Sequence, residues 1–294
     1  FIVFCGVHFM AETADLLTSP DQTVILPNMA AGCSMADMAA TEDVEDCWDE
    51  LQGIVGHNAQ VIPVTYMNST AAIKALTGEG GGVICTSSNA EMAIKWAFAR
   101  SDRVLFLPDQ HLGRNVGLRL GISLDEMIVW NPFEQLGGHT PDAIQKARMI
   151  LWKGHCSVHT RFTVEQIEKA RSSNPELNVI VHPECTMEVV AAADYVGSTE
   201  YICELVSNGP SGTSWGIGTE INLVQRLALE NSDKDVFCLD PIVCPCATMY
   251  RIHPAYLLWV LEGLMAGLVI NRVKVPGNVA GQARIALHRM LEVS

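Results

Sequence analysis

Short runs of apolar and β-branched residues alternate with helical patterns along almost the whole chain, and this alternation limits the fold more than any other feature. VIPVTYM, GVICTS, RVLFLPD and MIVWNP are separated by AAIKAL, AEMAIKWAFA and LGRNVGLRLG, and NVIVHP, TMEVVAAA, DYVGS, INLVQRLALE and DVFCLDP continue the order. Strands that are apolar on both faces need cover on both, and amphipathic helices between them supply it. The class is α/β, with parallel sheets. A chain of 294 residues that is 49% hydrophobic and 18% charged can bury more than one such core.

Three segments share a plan. Residues 6–33 and 218–244 each run Gly, helix, polar turn, strand, short loop, Cys, and residues 106–132 follow the same order before an insertion near 130–152 that ends at GHC. The plan places Cys33, Cys156 and Cys244 after equivalent strand ends. Three αβα units around a pseudo-threefold axis would bring three thiols together beyond the carboxyl ends of three sheets, where open α/β sheets bind ligands. The expected division is 1–33 as the remainder of a first domain, 34–156 as a second, 157–244 as a third, and 245–294 as a helical segment packing back on the core. Because FIVFCG already reads as a buried strand at residue 1, the first domain is expected to be N-terminally truncated.

Ten cysteines in such a chain point to metal or catalysis rather than a disulfide scaffold. Cys5, Cys85 and Cys238 lie in β-type runs and are expected in the core. Three thiols leave one coordination position open. Zinc with His155 or His159 as fourth ligand and an iron–sulfur cluster both satisfy that pattern, and spacing does not choose between them. A zinc hydrolase or lyase predicts a colourless protein, and a non-catalytic iron–sulfur sensor would not need the polar residues that follow.

Those residues cluster at strand ends. NST (68–70), TSSNAE (86–91) and GSTE (197–200) each precede a helix, where hydroxyls and free N–H groups can hold phosphate or carboxylate without Lys or Arg. VIVHPEC (179–185) offers His182 and Glu184 on the same side of a strand end, a pairing suited to acid–base work. A net charge of −14 with no Lys/Arg cluster argues against nucleic acid or an anionic membrane as partner. YLLWVLEGLMAGLVI (256–270) is shorter than the roughly 20 residues of a membrane span and carries Glu262; it is expected to be a core helix.

In order, LPNMAAGCSMADM, TYMNST, VICTSSNA, LFLPDQHLG, GHCSVH, VIVHPEC, ADYVGST, GTEINLV and VCPCATMYRIHP closely resemble the quinolinate synthase family. The resemblance implies a cytoplasmic transferase of de novo NAD biosynthesis that condenses iminoaspartate with dihydroxyacetone phosphate, as a monomer or homodimer coupled to an L-aspartate oxidase. It implies one 4Fe-4S cluster per chain on Cys33, Cys156 and Cys244. Cys244 is preferred over Cys246 because the family's ligand is often followed by Pro and, further on, by Met and an apolar residue. It implies that Tyr66, Asn68, Ser87, His159, His182, Ser198 and Thr199 line the substrate pocket. Glu184 would carry protons, with His182, His159 and Tyr66 as its catalytic partners. The family also has an earlier strand and helix with a His and a Tyr that close the site. The sequence is expected to be an incomplete record of a normal synthase, the alternative being an inactive fragment.

Overall fold

The burial of six successive residues, Val61–Tyr66, on both faces of one strand sets the centre of the molecule. The structure, a computed structural model, describes residues 1–56, 61–242 and 245–293. Its first unit holds β1 (Ile2–Val3), α1 (His8–Leu17) and β2 (Val24–Ile25), followed by the short α2 (Ser34–Asp37). The second begins with α3 (Thr41–Val55) and continues through β3 (Val61–Tyr66), α4 (Ala71–Glu79), β4 (Val83–Cys85), α5 (Ala90–Phe98) and β5 (Arg103–Leu107). It closes with α6 (Gln110–Arg119), β6 (Met127–Trp130), α7 (Pro141–Lys146) and β7 (Met149–Trp152). The third holds α8 (Val164–Ser173), β8 (Asn178–Val181), α9 (Met187–Ala192), β9 (Tyr195–Val196), α10 (Thr199–Asn208), β10 (Ser214–Gly218), α11 (Ile221–Glu230) and β11 (Asp235–Cys238). The chain ends in α12 (Pro254–Met265), β12 (Arg272–Val273) and α13 (Gly277–Val293).

Three sheets result, in the orders β1-β2-β12, β4-β3-β5-β7-β6 and β11-β10-β8-β9. The second and third are parallel throughout. Side-chain alternation sends Val104 and Phe106 to one face of the second sheet and Leu105 and Leu107 to the other, into two separate cores. In the third sheet Val179 and Val181 face one core and Ile180 the other. Each of the three repeated segments supplies a helix and then a strand, α1–β2, α6–β6 and α11–β11, as the shared plan requires.

Several expectations need correction. The first sheet is mixed, because β12 pairs antiparallel with β2 and brings a C-terminal strand into the first unit. The insertion near 130–152 is structural: it supplies α7 and β7, and β7 sits between β5 and β6. FIVFCG forms only a two-residue strand, and Cys5 is exposed because the chain has already left the sheet into the bend at Gly6. Cys85 is buried as expected, whereas Cys238, at the end of the edge strand β11, is half-buried. The apolar helix α12 is not a core helix: only Val260 and Gly263 of its 12 residues are buried, and Met265 is 89% exposed. Its hydrophobicity runs around the whole circumference, so sequence pattern could not say which side faces protein.

Around the second sheet, α13 packs on α4 through Ala280, Ala283, Ala286 and Leu287. Contact is close enough that a Cβ on Gly78 would lie 2.1 Å from the Gln282 carbonyl oxygen, which is why a glycine stands there. From the first unit, Glu12 accepts a hydrogen bond from the Ala71 N–H at the start of α4, and Asp15 accepts one from the Val275 N–H.

One charged residue lies inside this apolar packing. Lys74 of α4 is fully buried, and burial pushes its ammonium down to about 7 while nearby Glu12 pulls it up. A lysine in the unfolded chain titrates near about 10.4, so between about 7 and about 10.4 the unfolded chain holds a proton that the native protein has released. Stability from this group therefore rises with pH across that window and is lowest below it. Urea unfolding should show wild type gaining stability relative to Lys74→Met between pH 7 and pH 10; an unchanged difference would contradict the desolvation of Lys74.

Candidate functional site

The strand orders direct attention to two crevices. In the second sheet the chain goes from β3 to β4 on one side and then to β5 on the other; in the third it goes from β8 to β9 and then to β10 on the opposite side. Such reversals open a crevice at the carboxyl ends of the two central strands. Tyr66 ends β3 and Asp109 follows β5; His182 and Glu184 follow β8, and Thr219 follows β10. All five are buried.

The two crevices meet at Glu184. Its Oε1 accepts a hydrogen bond from the Tyr66 hydroxyl at 2.8 Å, and its Oε2 accepts one from His159 Nδ1 at 2.8 Å. His159 lies in the single turn after the GHC loop, and its Nε2 pairs with Thr219 Oγ1 at 3.0 Å. With Nδ1 donating to the carboxylate, Nε2 is the nitrogen that meets the threonine hydroxyl. His182 stacks on His159 with ring centroids 4.5 Å apart, and its Nδ1 accepts from the Glu184 N–H. The expected His182 and Glu184 pairing is present, although Glu184 has turned out of the strand.

Burial and charge set the protonation states. Burial pushes the Glu184 carboxyl up, but the neighbouring His159 and the hydrogen bonds from His159 and Tyr66 outweigh it and hold the group ionised, below the usual carboxylate range. Burial pushes the Tyr66 phenol up, and the neighbouring Glu184 charge adds to this, so the hydroxyl stays a donor. Burial lowers His182 to about 3, leaving it neutral. Asp109 is raised by burial and then by Glu184; its Oδ1 caps α6 through the N–H groups of His111 and Leu112, and its Oδ2 is buried without a partner among the described residues.

The thiols converge on the same place. One donor atom each from Cys156, His159 and Glu184 lies within 4.8 Å of the others. Burial pushes Cys33 up to about 11, and the charges of Glu184 and Cys246 push in the same direction. Cys156 is raised by burial and then by Glu184 and Asp109. Cys33 and Cys156 thus both lie in the field of Glu184, which adds to burial in disfavouring ionisation of either thiol, and Cys246 lies near enough to Cys33 to add to its shift. A bound soft cation is what would let them ionise together, so the donor set fits an iron–sulfur or zinc centre. Both ring nitrogens of His159 are already hydrogen-bonded, which favours thiols over this histidine as ligands.

Ser87 stands beside the Tyr66 oxygen, and Asn68 lies on the loop between β3 and α4. Ser198 caps α10 through the Tyr201 N–H, with the exposed Thr199 beside it; no hydrogen bond joins either to the Glu184 cluster among the described residues. Cys244 lies outside the described residues. Sequence reading missed Thr219 and Asp109, although GTE and LPD mark strand ends as plainly as NST does. Replacing Thr219 by Val should cost about 1–3 kcal/mol by leaving a buried ring nitrogen unpaired; urea melts of Thr219→Val beside Thr219→Ser, which keeps the hydroxyl, check this.

Known proteins resemble this chain over almost its whole length. Residues 1–292 match the family model described as quinolinate synthetase A protein. The chain is 60% identical over 292 residues to a quinolinate synthase of Corynebacterium glutamicum, covering 99% of this chain and 74% of that protein. It is 56% identical over 296 residues to one of Herpetosiphon aurantiacus, covering 100% and 79%, and 56% identical over 294 residues to one of Streptomyces coelicolor, covering 99% and 74%.

Proposed function

Because this chain belongs to the quinolinate synthase family, we propose that it forms quinolinate for NAD biosynthesis by condensing iminoaspartate with dihydroxyacetone phosphate at the Glu184 crevice. The observation that carries this reading is the single ionised carboxylate that receives Tyr66 from one sheet and His159 from the other, beside Cys156. Joining the two substrates needs a carbon acid to lose a proton, and ring closure expels water and phosphate. Glu184 takes and returns those protons. His159, oriented by Thr219, shares its Nδ1 proton with that carboxylate, and Tyr66 donates to it from the opposite side. Neutral His182 supports His159 by stacking and presents its remaining ring nitrogen.

Asn68, Ser87, Ser198 and Thr199 hold the polar groups of the substrates. Ser198 and Thr199 open α10, a ten-residue helix whose N-terminal N–H groups suit a phosphate or carboxylate. Cys33 and Cys156 bind the cofactor together with a thiol of the C-P-C segment. Cys244 is the sequence expectation for that third thiol, with Cys246 of the same C-P-C segment as the alternative. A 4Fe-4S cluster on three thiols, when bound, leaves one iron without a protein ligand and supplies a Lewis acid. This reading also assigns a cytoplasmic location, an L-aspartate oxidase as supplier of iminoaspartate, and a monomer or homodimer. No helix among the described residues is long and apolar enough to cross a membrane.

The test is Glu184→Gln beside single serine substitutions of Cys33, Cys156, Cys244 and Cys246, each purified anaerobically. Glu184→Gln should keep about four irons per chain and lose roughly 100-fold or more in turnover. Cys33→Ser, Cys156→Ser and one of the C-P-C variants should lose the iron. Full activity in Glu184→Gln would overturn the proton-carrier role, and a colourless wild type loaded with zinc would replace the cluster by the zinc reading.

A further inference from the structure

Two buried side-chain donors make the same unusual contact. Lys74 of α4 donates from Nζ to the Met67 carbonyl at 2.9 Å and to the Ser69 carbonyl. Asn115 of α6, 3% exposed, donates from Nδ2 to the Pro183 carbonyl at 2.8 Å and to the Cys185 carbonyl at 2.8 Å. Each donor thus grips the carbonyls on both sides of one residue. Those residues are Asn68 and Glu184.

Both gripped segments begin just beyond the last residue of a strand, where regular ladder bonding ends. Around Asn68 the Ser69 N–H donates to the Met67 carbonyl at 2.9 Å, a three-residue turn that a small rotation of either peptide would open. Around Glu184 the Cys185 N–H donates to the His182 carbonyl at 3.0 Å. Pinning a carbonyl before and after a residue fixes the backbone on both its sides and therefore the direction in which its side chain leaves.

A core made for stability alone would not place an ammonium there, because removing the charge from water is costly and an apolar side chain at a helix position is not. Partial compensation comes from the Phe9 ring, 5.5 Å from Nζ, and from the charge of Glu12. Asn115 reaches from the second unit into the third, so the grip on Glu184 is also a contact between the two sheets whose crevices form the site.

We propose that Lys74 and Asn115 are positioning residues, Lys74 aiming Asn68 at the substrate and Asn115 aiming Glu184 at Tyr66 and His159. This rests on the proposed function, in which Asn68 binds substrate and Glu184 carries protons. The two therefore differ in what their loss does. A misdirected Asn68 weakens binding; a misdirected Glu184 slows the chemical step, and displacement of a reacting group by about 1 Å can cost up to about 100-fold.

The experiment compares Lys74→Met, Asn68→Ala, their double variant, Asn115→Leu and Asn115→Gln, with turnover normalised to iron content. Quinolinate binding to the cluster-free proteins is measured by calorimetry alongside. Lys74→Met should raise KM about tenfold with kcat within about threefold, weaken quinolinate binding similarly, and add little to Asn68→Ala in the double variant, as for residues acting through one contact. Asn115→Leu should lower kcat about tenfold to 100-fold with KM within about threefold, and Asn115→Gln, which keeps the amide, should recover part of the loss. Where Lys74→Met does not fold, Lys74→Gln carries the same comparison. An unchanged KM in Asn68→Ala sinks the reading of Asn68 and the Lys74 grip with it. If Asn68→Ala raises KM while Lys74→Met adds its full effect in the double variant, the Lys74 grip alone is overturned. Loss of melting temperature in Asn115→Leu with unchanged kcat overturns the Asn115 grip.

Discussion

Everything distinctive about this protein depends on one buried carboxylate. Glu184 is removed from water, which works against its charge, and it stays ionised because His159 and Tyr66 hydrogen-bond to it from two different sheets. Losing either donor would leave a buried charge short of a partner, which costs more than the bond itself contributes. The carboxylate is therefore both a chemical group and the joint that fixes the second unit against the third. Asn115 reinforces the same joint through the backbone on each side of it.

The joint lies there because of topology. Each of the two parallel sheets reverses its direction of growth beside a central strand, and each reversal leaves strand ends without a covering crossover. Tyr66 and Asp109 come from one reversal and His182, Glu184 and Thr219 from the other. The first unit adds Cys33, and the Glu12 bond to the start of α4 ties α1 to the loop that carries Asn68. A thiol raised by burial and by its neighbours' negative charge is a poor nucleophile but can serve as a ligand once a cation is present, so the same crowding that suppresses ionisation is where the proposed cofactor would bind.

Much of this is legible in the sequence. Continuous apolar runs between amphipathic stretches identify the parallel sheets, and residues such as Tyr66, His182 and Glu184 stand at strand ends where chemistry is expected. Three kinds of feature are not legible. Whether an apolar segment is buried depends on what lies opposite, which local pattern does not contain; Cys5 and α12 read as interior and are exposed. The antiparallel return of β12 to the first sheet depends on pairing between residues as distant in the chain as Ile25 and Arg272. Lys74 and Asn115 look like ordinary helix residues, because their meaning lies in which carbonyls they reach.

The most direct measurement is an anaerobic crystal structure of the protein with quinolinate. It should show a cluster bound by Cys33, Cys156 and one C-P-C thiol, with the quinolinate carboxylates and ring nitrogen facing Glu184 and the Asn68 loop. A metal bound through a ring nitrogen of His159, or quinolinate seated away from the Glu184 crevice, would contradict the central role of that carboxylate.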